Sequence, residues 1–201
     1  MARTGRPRGF DRNEAIQAAM HLFWLHGYES TSLAQLKEGM GGISAPSFYA
    51  AFGSKEQLFS EVITAFRATH GQVMSSLYDP ALPPRVAIGT ALRNSARMQT
   101  DGSHPAGCFL VLAASTFPPE SEALKQQLMD ERAKTQSGIL ACVQRGIATG
   151  DLGPTTNAHV LATLFDTFLK GMTVMAREGV PYATLDAAIT ELLAVWDLHK
   201  A

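Results

Sequence analysis

The chain is predicted to be all-α, with a small N-terminal three-helix unit joined to a larger helical C-terminal region. Three observations carry that expectation. Apolar residues recur at three- and four-residue spacing through most of the stretch from residue 11 to residue 199. Strand-type alternation does not occur. Glycines and prolines separate the helical stretches, and small hydroxyl or acidic residues stand where helices would begin.

The first helix is read over Asp11–His26, with Asp11 as cap, Ile16, Ala19, Met20, Phe23 and Trp24 as its apolar face, and Gly27 as its stop. A short second helix starts with Thr31 or Ser32 as cap and turns Leu33, Leu36 and Met40 inward. Gly39, Gly41 and Gly42 break the pattern. Ser44 then caps a third helix of about two turns, in which Pro46 is harmless because a first-turn N–H has no ladder partner to lose. Gly53 ends it. Ser54-Lys55-Glu56-Gln57 has capping-box spacing and opens a longer helix reaching about Leu77, with Leu58, Phe59, Val62, Ile63 and Phe66 as its stripe.

Further helices are expected near residues 84–100, 105–116, 120–149, 155–178 and 184–199. Asp101-Gly102, Pro118-Pro119, Gly150-Asp151, Gly153-Pro154 and Gly179 with Pro181 mark the loops. Gly138 and Gly146 weaken the 120–149 helix or invite a kink. The organisation expected is a flexible basic arm over 1–10, a three-helix unit over 11–53, a connecting helix over 54–77, and a C-terminal domain over 78–201.

Composition narrows the function classes. Of 201 residues, 46% are hydrophobic and 17% charged, which argues for a substantial core and leaves apolar surface for an oligomer. The net charge of −1 gives no general attraction for nucleic acid, but Arg3, Arg6, Arg8 and Arg12 crowd the first twelve residues against Asp11 alone. Such an arm suits phosphates or a minor groove, and equally suits a solvated tail. The two cysteines, Cys108 and Cys142, provide neither a disulfide framework nor metal-ligand spacing. The six histidines are scattered, so no metal site and no cofactor are expected. No His-Glu-x-x-His, phosphate loop or Gly-x-Ser-x-Gly elbow occurs, and an enzyme is not expected. Without a long apolar run or leader-like segment, no membrane partner is expected and a cytoplasmic location is the default.

Two helices joined across a glycine turn, the second short and beginning with small hydroxyl residues, match a helix-turn-helix. The first must brace the second so that its N-terminal turns enter a major groove about 12 Å wide. The runs Phe10-Asp11-Arg12-Asn13-Glu14-Ala15-Ile16, Leu22-Phe23-Trp24-Leu25-His26-Gly27-Tyr28-Glu29-Ser30-Thr31-Ser32-Leu33 and Ser47-Phe48-Tyr49-Ala50-Ala51-Phe52-Gly53-Ser54-Lys55-Glu56-Gln57-Leu58-Phe59 resemble the N-terminal domain of the TetR family of transcriptional repressors. The resemblance covers about the first third of the chain. Beyond it, Gly107-Cys108-Phe109-Leu110-Val111-Leu112-Ala113-Ala114 resembles one subgroup only weakly.

The resemblance implies a homodimer on near-palindromic double-stranded operator DNA, released by a small, mostly apolar effector molecule. It puts Ser44, Ala45, Pro46, Ser47 and Phe48 at the start of the recognition helix. Tyr49 and Lys55 match family positions that reach phosphates, and Thr31 and Ser32 would offer another phosphate a hydroxyl and free N–H groups. Read from the residues alone, Lys55 is equally a solvated lysine, Tyr49 a core tyrosine, and Phe48 a core partner of Phe52. The family usually shows one glycine before the hydrophobic residue preceding this serine, whereas here the run is Gly41-Gly42-Ile43. No Arg, Asn or Gln lies in 44–50, so bidentate base contacts are absent there. Specificity falls to serine hydroxyls, Ala or Pro contacts to thymine methyls, the arm residues Arg6 and Arg8, and Gln35 and Lys37 in the supporting helix.

For the C-terminal domain the resemblance implies a four-helix dimer interface from the last two helices, with Leu161, Leu164, Phe168, Leu185, Ile189, Leu192, Leu193 and Trp196 as its apolar positions. The pattern alone allows an intrachain core instead. The effector-pocket candidates are His104, Phe109, Phe117, Met129, Phe165, Asp166 and Met172. Asp166 stands out as a carboxylate inside an apolar helix. Two alternatives remain: a thiol-based redox or electrophile sensor using Cys108, with a charged His104 lowering its pKa, and a helical protein-interaction module.

Overall fold

The computed structural model describes residues 11–113 and 121–201. Nine α-helices and a 3-10 helix make up the described residues: α1 Arg12–His26, α2 Leu33–Gly39, α3 Ala45–Phe52, α4 Lys55–Ala68, the 3-10 helix His70–Tyr78, α5 Pro84–Gln99, α6 Phe109–Leu112, α7 Glu122–Ala148, α8 Ala158–Arg177 and α9 Tyr182–Asp197. The chain is all-α. Among the described residues no strand forms, and the one β-type pairing is an isolated antiparallel bridge between Leu152 and Lys200.

The local rules that start each N-terminal helix are visible in its caps. Asp11 accepts from the N–H groups of Asn13 and Glu14, Ser44 from Ser47, and Ser54 from Gln57. Of the two cap candidates for α2, Ser32 serves: its hydroxyl accepts from the Gln35 N–H while the Gln35 side chain returns to the Ser32 N–H. These bonds use donors that a helix start would otherwise leave unpaired.

Two helix expectations need correction. The connecting helix does not reach Leu77: it ends at Ala68, because Thr69 leaves helical geometry (φ −116°, ψ −90°). Its hydroxyl donates back to the Ala65 carbonyl at 2.9 Å, and the chain continues as a 3-10 helix. The helix expected over 105–116 is reduced to α6 among the described residues. Gly107 takes φ 85° and Cys108 is extended, so no helix can start earlier. In α7 the glycines cause no break. Gly146 lets Trp196 approach so closely that a Cβ there would lie 2.6 Å from the indole.

Two apolar cores result. The first joins Phe23, Trp24, Phe48, Phe52, Leu58, Phe59 and Phe66 of α1, α3 and α4, and it also takes in Phe109, Ala113, Leu124 and Leu128 from the following region. The N-terminal unit is thus seated on α6 and the start of α7. The second core packs α5, α7, α8 and α9 around Ile88, Val143, Phe165, Ile189 and Trp196. Truncating one of the buried aromatics to alanine is expected to cost about 3–5 kcal/mol.

Candidate nucleic-acid interface and effector cavity

α1 carries the weight of the interface from behind. Its Phe23 meets Phe59 of α4 edge-on, with ring centroids 4.9 Å apart, and Tyr28 beyond its end packs on the same ring. α2 inserts Leu36 and α3 inserts Phe48 and Phe52 into that core. The face left outside is the N-terminal part of α3 with the starts of α2 and α4.

Ser32, Ser44, Pro46, Ser47 and Tyr49 are exposed there, and Ala45 is half-buried. Tyr49 is 52% exposed, so it is not a core tyrosine, and its ring braces edge-on against Phe48. The hydroxyls of Ser44 and Ser47 lie 2.8 Å apart, which presents a coupled donor–acceptor pair at the helix start. The second glycine of the turn is absorbed locally. Gly41 and Gly42 take φ 83° and 77°, conformations that glycine adopts without steric cost, and α3 still begins at the Ser44 cap.

Two candidate positions do not reach this face. Phe48 is fully buried against Phe52, which rules out base contact for its ring. Thr31 is also fully buried, and its hydroxyl donates to the Gly27 carbonyl at 2.7 Å. It ties the α1 end to the α2 start and leaves the exposed role to Ser32. Arg6 and Arg8 lie outside the described residues.

Lys55 sits half-buried at the start of α4, its Nζ 4.3 Å from the centre of the Tyr28 ring. Burial pulls its pKa down and Glu29 pushes it back up. The Tyr28 partnership was not anticipated from sequence, although the Gly-Tyr run preceding Thr31 supplied the aromatic. Gln35 is committed to the Ser32 cap rather than held free. Arg12 is likewise a brace: it donates to Glu61 at 2.7 Å and lies over the Phe52 ring.

A cavity of about 750 Å³ opens between α4, the 3-10 helix and α5 to α8. Of the effector candidates, Asp166 lines it; Cys108, the thiol-sensor candidate, lines it too. Phe109, Phe165 and Met172 are core residues that do not line it, and Met129 is 44% exposed on the outer side of α7. His104 lies off the cavity, stacked on Trp24. Phe117 falls outside the described residues. The wall contains residues that sequence reasoning missed, including Arg67, His70, Ser95, Gln99 and Arg132. Nothing in helical periodicity marks a polar residue as facing a cavity rather than water.

Cys108 is half-buried, and burial pushes its thiol pKa up, with the Val111 and Leu110 N–H groups and Arg132 opposing. His104 is not the cation beside it. Burial that outweighs the helix-start N–H groups leaves this thiol poorly suited to forming a thiolate.

The apolar residues of the last two helices divide. Leu161, Leu185, Ile189, Leu193 and Trp196 are buried within the single chain and belong to its own core, so they are corrected as interface positions. Leu164 is 40% exposed, and Phe168 and Leu192 are half-buried. Leu164 and Phe168, with Val160, Val174 and Met175, leave α8 with an uncovered apolar stripe. Among the described residues, no helix is long and apolar enough to cross a membrane, and no cluster of three or more metal-type ligands forms.

A braced short helix with an exposed polar start, backed by a helical domain holding a cavity, defines a helix-turn-helix transcriptional regulator. Family comparison agrees. Residues 15–62 match the model of bacterial regulatory proteins of the tetR family, and residues 87–191 match the tetracyclin repressor-like C-terminal domain. The chain belongs to the TetR family. It is 33% identical to the HTH-type transcriptional repressor ComR of Escherichia coli (strain K12), over 96% of this chain and 91% of that protein. BdcR, an HTH-type transcriptional repressor of the same organism, is 27% identical over 87% of this chain and 83% of its own length. Among solved structures, a cysteine mutant of the TetR family regulator CifR, complexed with 26-bp double-strand operator DNA, superposes with a TM-score of 0.86. It is 42% identical over 95% of this chain and all of that one.

Proposed function

We propose that this chain is a repressor that binds a near-palindromic operator as a homodimer in the cytoplasm and leaves it when a small molecule enters the cavity. The observation that carries this reading is the division within α3: Phe48 and Phe52 are buried while Ser44, Pro46, Ser47 and Tyr49 face outward from a rigid support. Ser hydroxyls and the Ala45 and Pro46 carbons would touch base edges, and Tyr49, Lys55 and Ser32 would hold phosphates. The relative at 42% identity that is complexed with operator DNA supports DNA as the partner.

The partner for the α8 stripe is a second copy. Val160, Leu164, Phe168 and Met175 follow one another at intervals of four, four and seven residues, along one face of a helix whose opposite face is core. Gly171 leaves room for close approach, with nothing near its missing Cβ. A two-fold axis through this stripe would give two recognition helices and an inverted-repeat site. The cavity wall includes Phe66 and Arg67 at the end of α4 and His70 just past its break. A molecule bound there would press on the element that carries the DNA-reading unit, and would favour a different spacing of the two units.

Sedimentation of wild type and of the Leu164→Glu/Met175→Glu double variant tests the assembly. The reading expects a dimer for wild type, a monomer for the variant, and at least about a hundredfold loss of operator affinity. A wild-type monomer, free and on DNA, would contradict it.

A further inference from the structure

The cavity wall contains two buried oxygens that the fold leaves without a donor. Gln99 is 1% exposed; its Nε2 donates to the Ser95 hydroxyl at 2.8 Å, and its Oε1 has no hydrogen-bond partner among the described residues. Asp166 is 4% exposed; its Oδ2 accepts from Lys170, one turn along α8, and its Oδ1 has no partner among the described residues. Both residues line the same cavity, Gln99 from α5 and Asp166 from α8. A buried acceptor left unpaired is costly, so natural proteins rarely keep one unless something completes it. Two on one wall, where the remaining polar atoms of both side chains are already satisfied, mark a place prepared for hydrogen-bond donors.

Most of the charge on the wall is engaged in ion pairs. Arg67 and Lys134 both pair with Glu131, at 2.8 and 2.7 Å, and Lys170 pairs with Asp166. Arg132 donates to the Leu110 carbonyl at 3.1 Å. Asp130, which accepts from the Gln126 side chain at 2.7 Å, is opposite in sign to Arg132, so no block of like charge faces a guest. Between them lie the side chains of Phe66, Met74, Met98, Val111 and Leu169, an apolar bed for the body of a guest.

Resting on the reading that this cavity receives an effector, we propose that its ligands are uncharged small molecules with an apolar body and at least two hydrogen-bond donors, received by Oε1 of Gln99 and Oδ1 of Asp166. A primary amide or a diol carries such donors; a hydrocarbon, ether or tertiary amide of the same size does not. This sharpens the sequence expectation of a mostly apolar effector: the body is apolar, and the polar end selects.

Matched probes test it. Linear primary alkanamides and alkane-1,2-diols of six to ten carbons are compared with their N,N-dimethyl and O,O-dimethyl counterparts by thermal unfolding of the full chain. The donor-bearing members should raise the melting temperature by about 2–4 °C at saturating concentration. The methylated members should not. Gln99→Met and Asp166→Leu should each abolish the shift, Gln99→Glu, which keeps an acceptor, should retain it, and Met129→Ala, outside the cavity, should leave it unchanged. Melting of each variant without probe shows whether it folds. Equal shifts from both arms would overturn the donor requirement while leaving an effector cavity in place. So would the absence of any shift in a protein that still binds its operator. Operator release by compounds of other chemistry then separates failure of this ligand class from failure of the effector reading.

Discussion

The indole of Trp24 and the imidazole of His104 lie face to face, with ring centroids 4.5 Å apart and planes 19° from parallel. One ring belongs to α1 of the DNA-reading unit and the other to the loop after α5. The indole N–H donates to the Gly107 carbonyl at 3.2 Å in the same loop, and His70, just past the α4 break, meets both rings edge-on. A single aromatic cluster therefore fastens the N-terminal unit to the domain that holds the cavity. A shift of the loop or of the 3-10 helix has to move Trp24 or break this stack.

The cluster gives the fold a pH dependence. Burial holds the His70 pKa below its ordinary value, nearby His104 lowers it further, and Asp101 opposes. The unfolded chain thus binds a proton more readily than the folded one, and stability rises with pH across that window. The packing is fully retained above about pH 6.5 and is lost as pH falls through the lower folded value. Thermal unfolding of wild type and His70→Gln between pH 5 and 7.5 should show a steeper acid loss for wild type. Parallel curves would remove His70 from the account.

Lys55 offers a cleaner electrostatic test. Lys55→Ala should weaken operator and non-operator DNA alike, by about tenfold, and should reduce the slope of log affinity against log salt by about one unit. Gel shifts across a salt series measure both. An unchanged slope would leave Lys55 with only its contact to Tyr28.

The thiol-sensor alternative has a direct counter-test. With its pKa raised by burial, Cys108 should react slowly at neutral pH. Brief treatment with N-ethylmaleimide or peroxide should leave operator affinity within about twofold for wild type, Cys108→Ser and Cys142→Ser. Release of treated wild type, with Cys108→Ser resistant, would restore the sensor.

Much of the N-terminal unit was legible because its signals are local. The Ser44 cap, Pro46 in the first turn and the glycines at 41, 42 and 53 each act within a few residues. The inward face shared by Phe48 and Phe52 followed from their spacing. The C-terminal domain was harder for a physical reason. α8 is apolar on two faces, so Leu161, Phe165 and Met172 read like Leu164, Phe168 and Met175, and only packing assigns the first three to the core. The Thr69 break was hidden because Thr69 sits in a sequence that otherwise continues a helical pattern; its hydroxyl competes for a carbonyl only once the chain is folded. Gln99 gave no sequence signal at all, since an isolated glutamine on a helix reads as solvated.

Selection from a random-sequence duplex library with the purified chain tests the central claim most directly. The account predicts an enriched inverted repeat, bound by two chains, with Ser47→Ala changing the preferred bases and Lys55→Ala weakening all sequences together. A protein-interaction module with the same fold predicts otherwise. Sequences that emerge unenriched, with no gel shift even at low salt, would contradict the account.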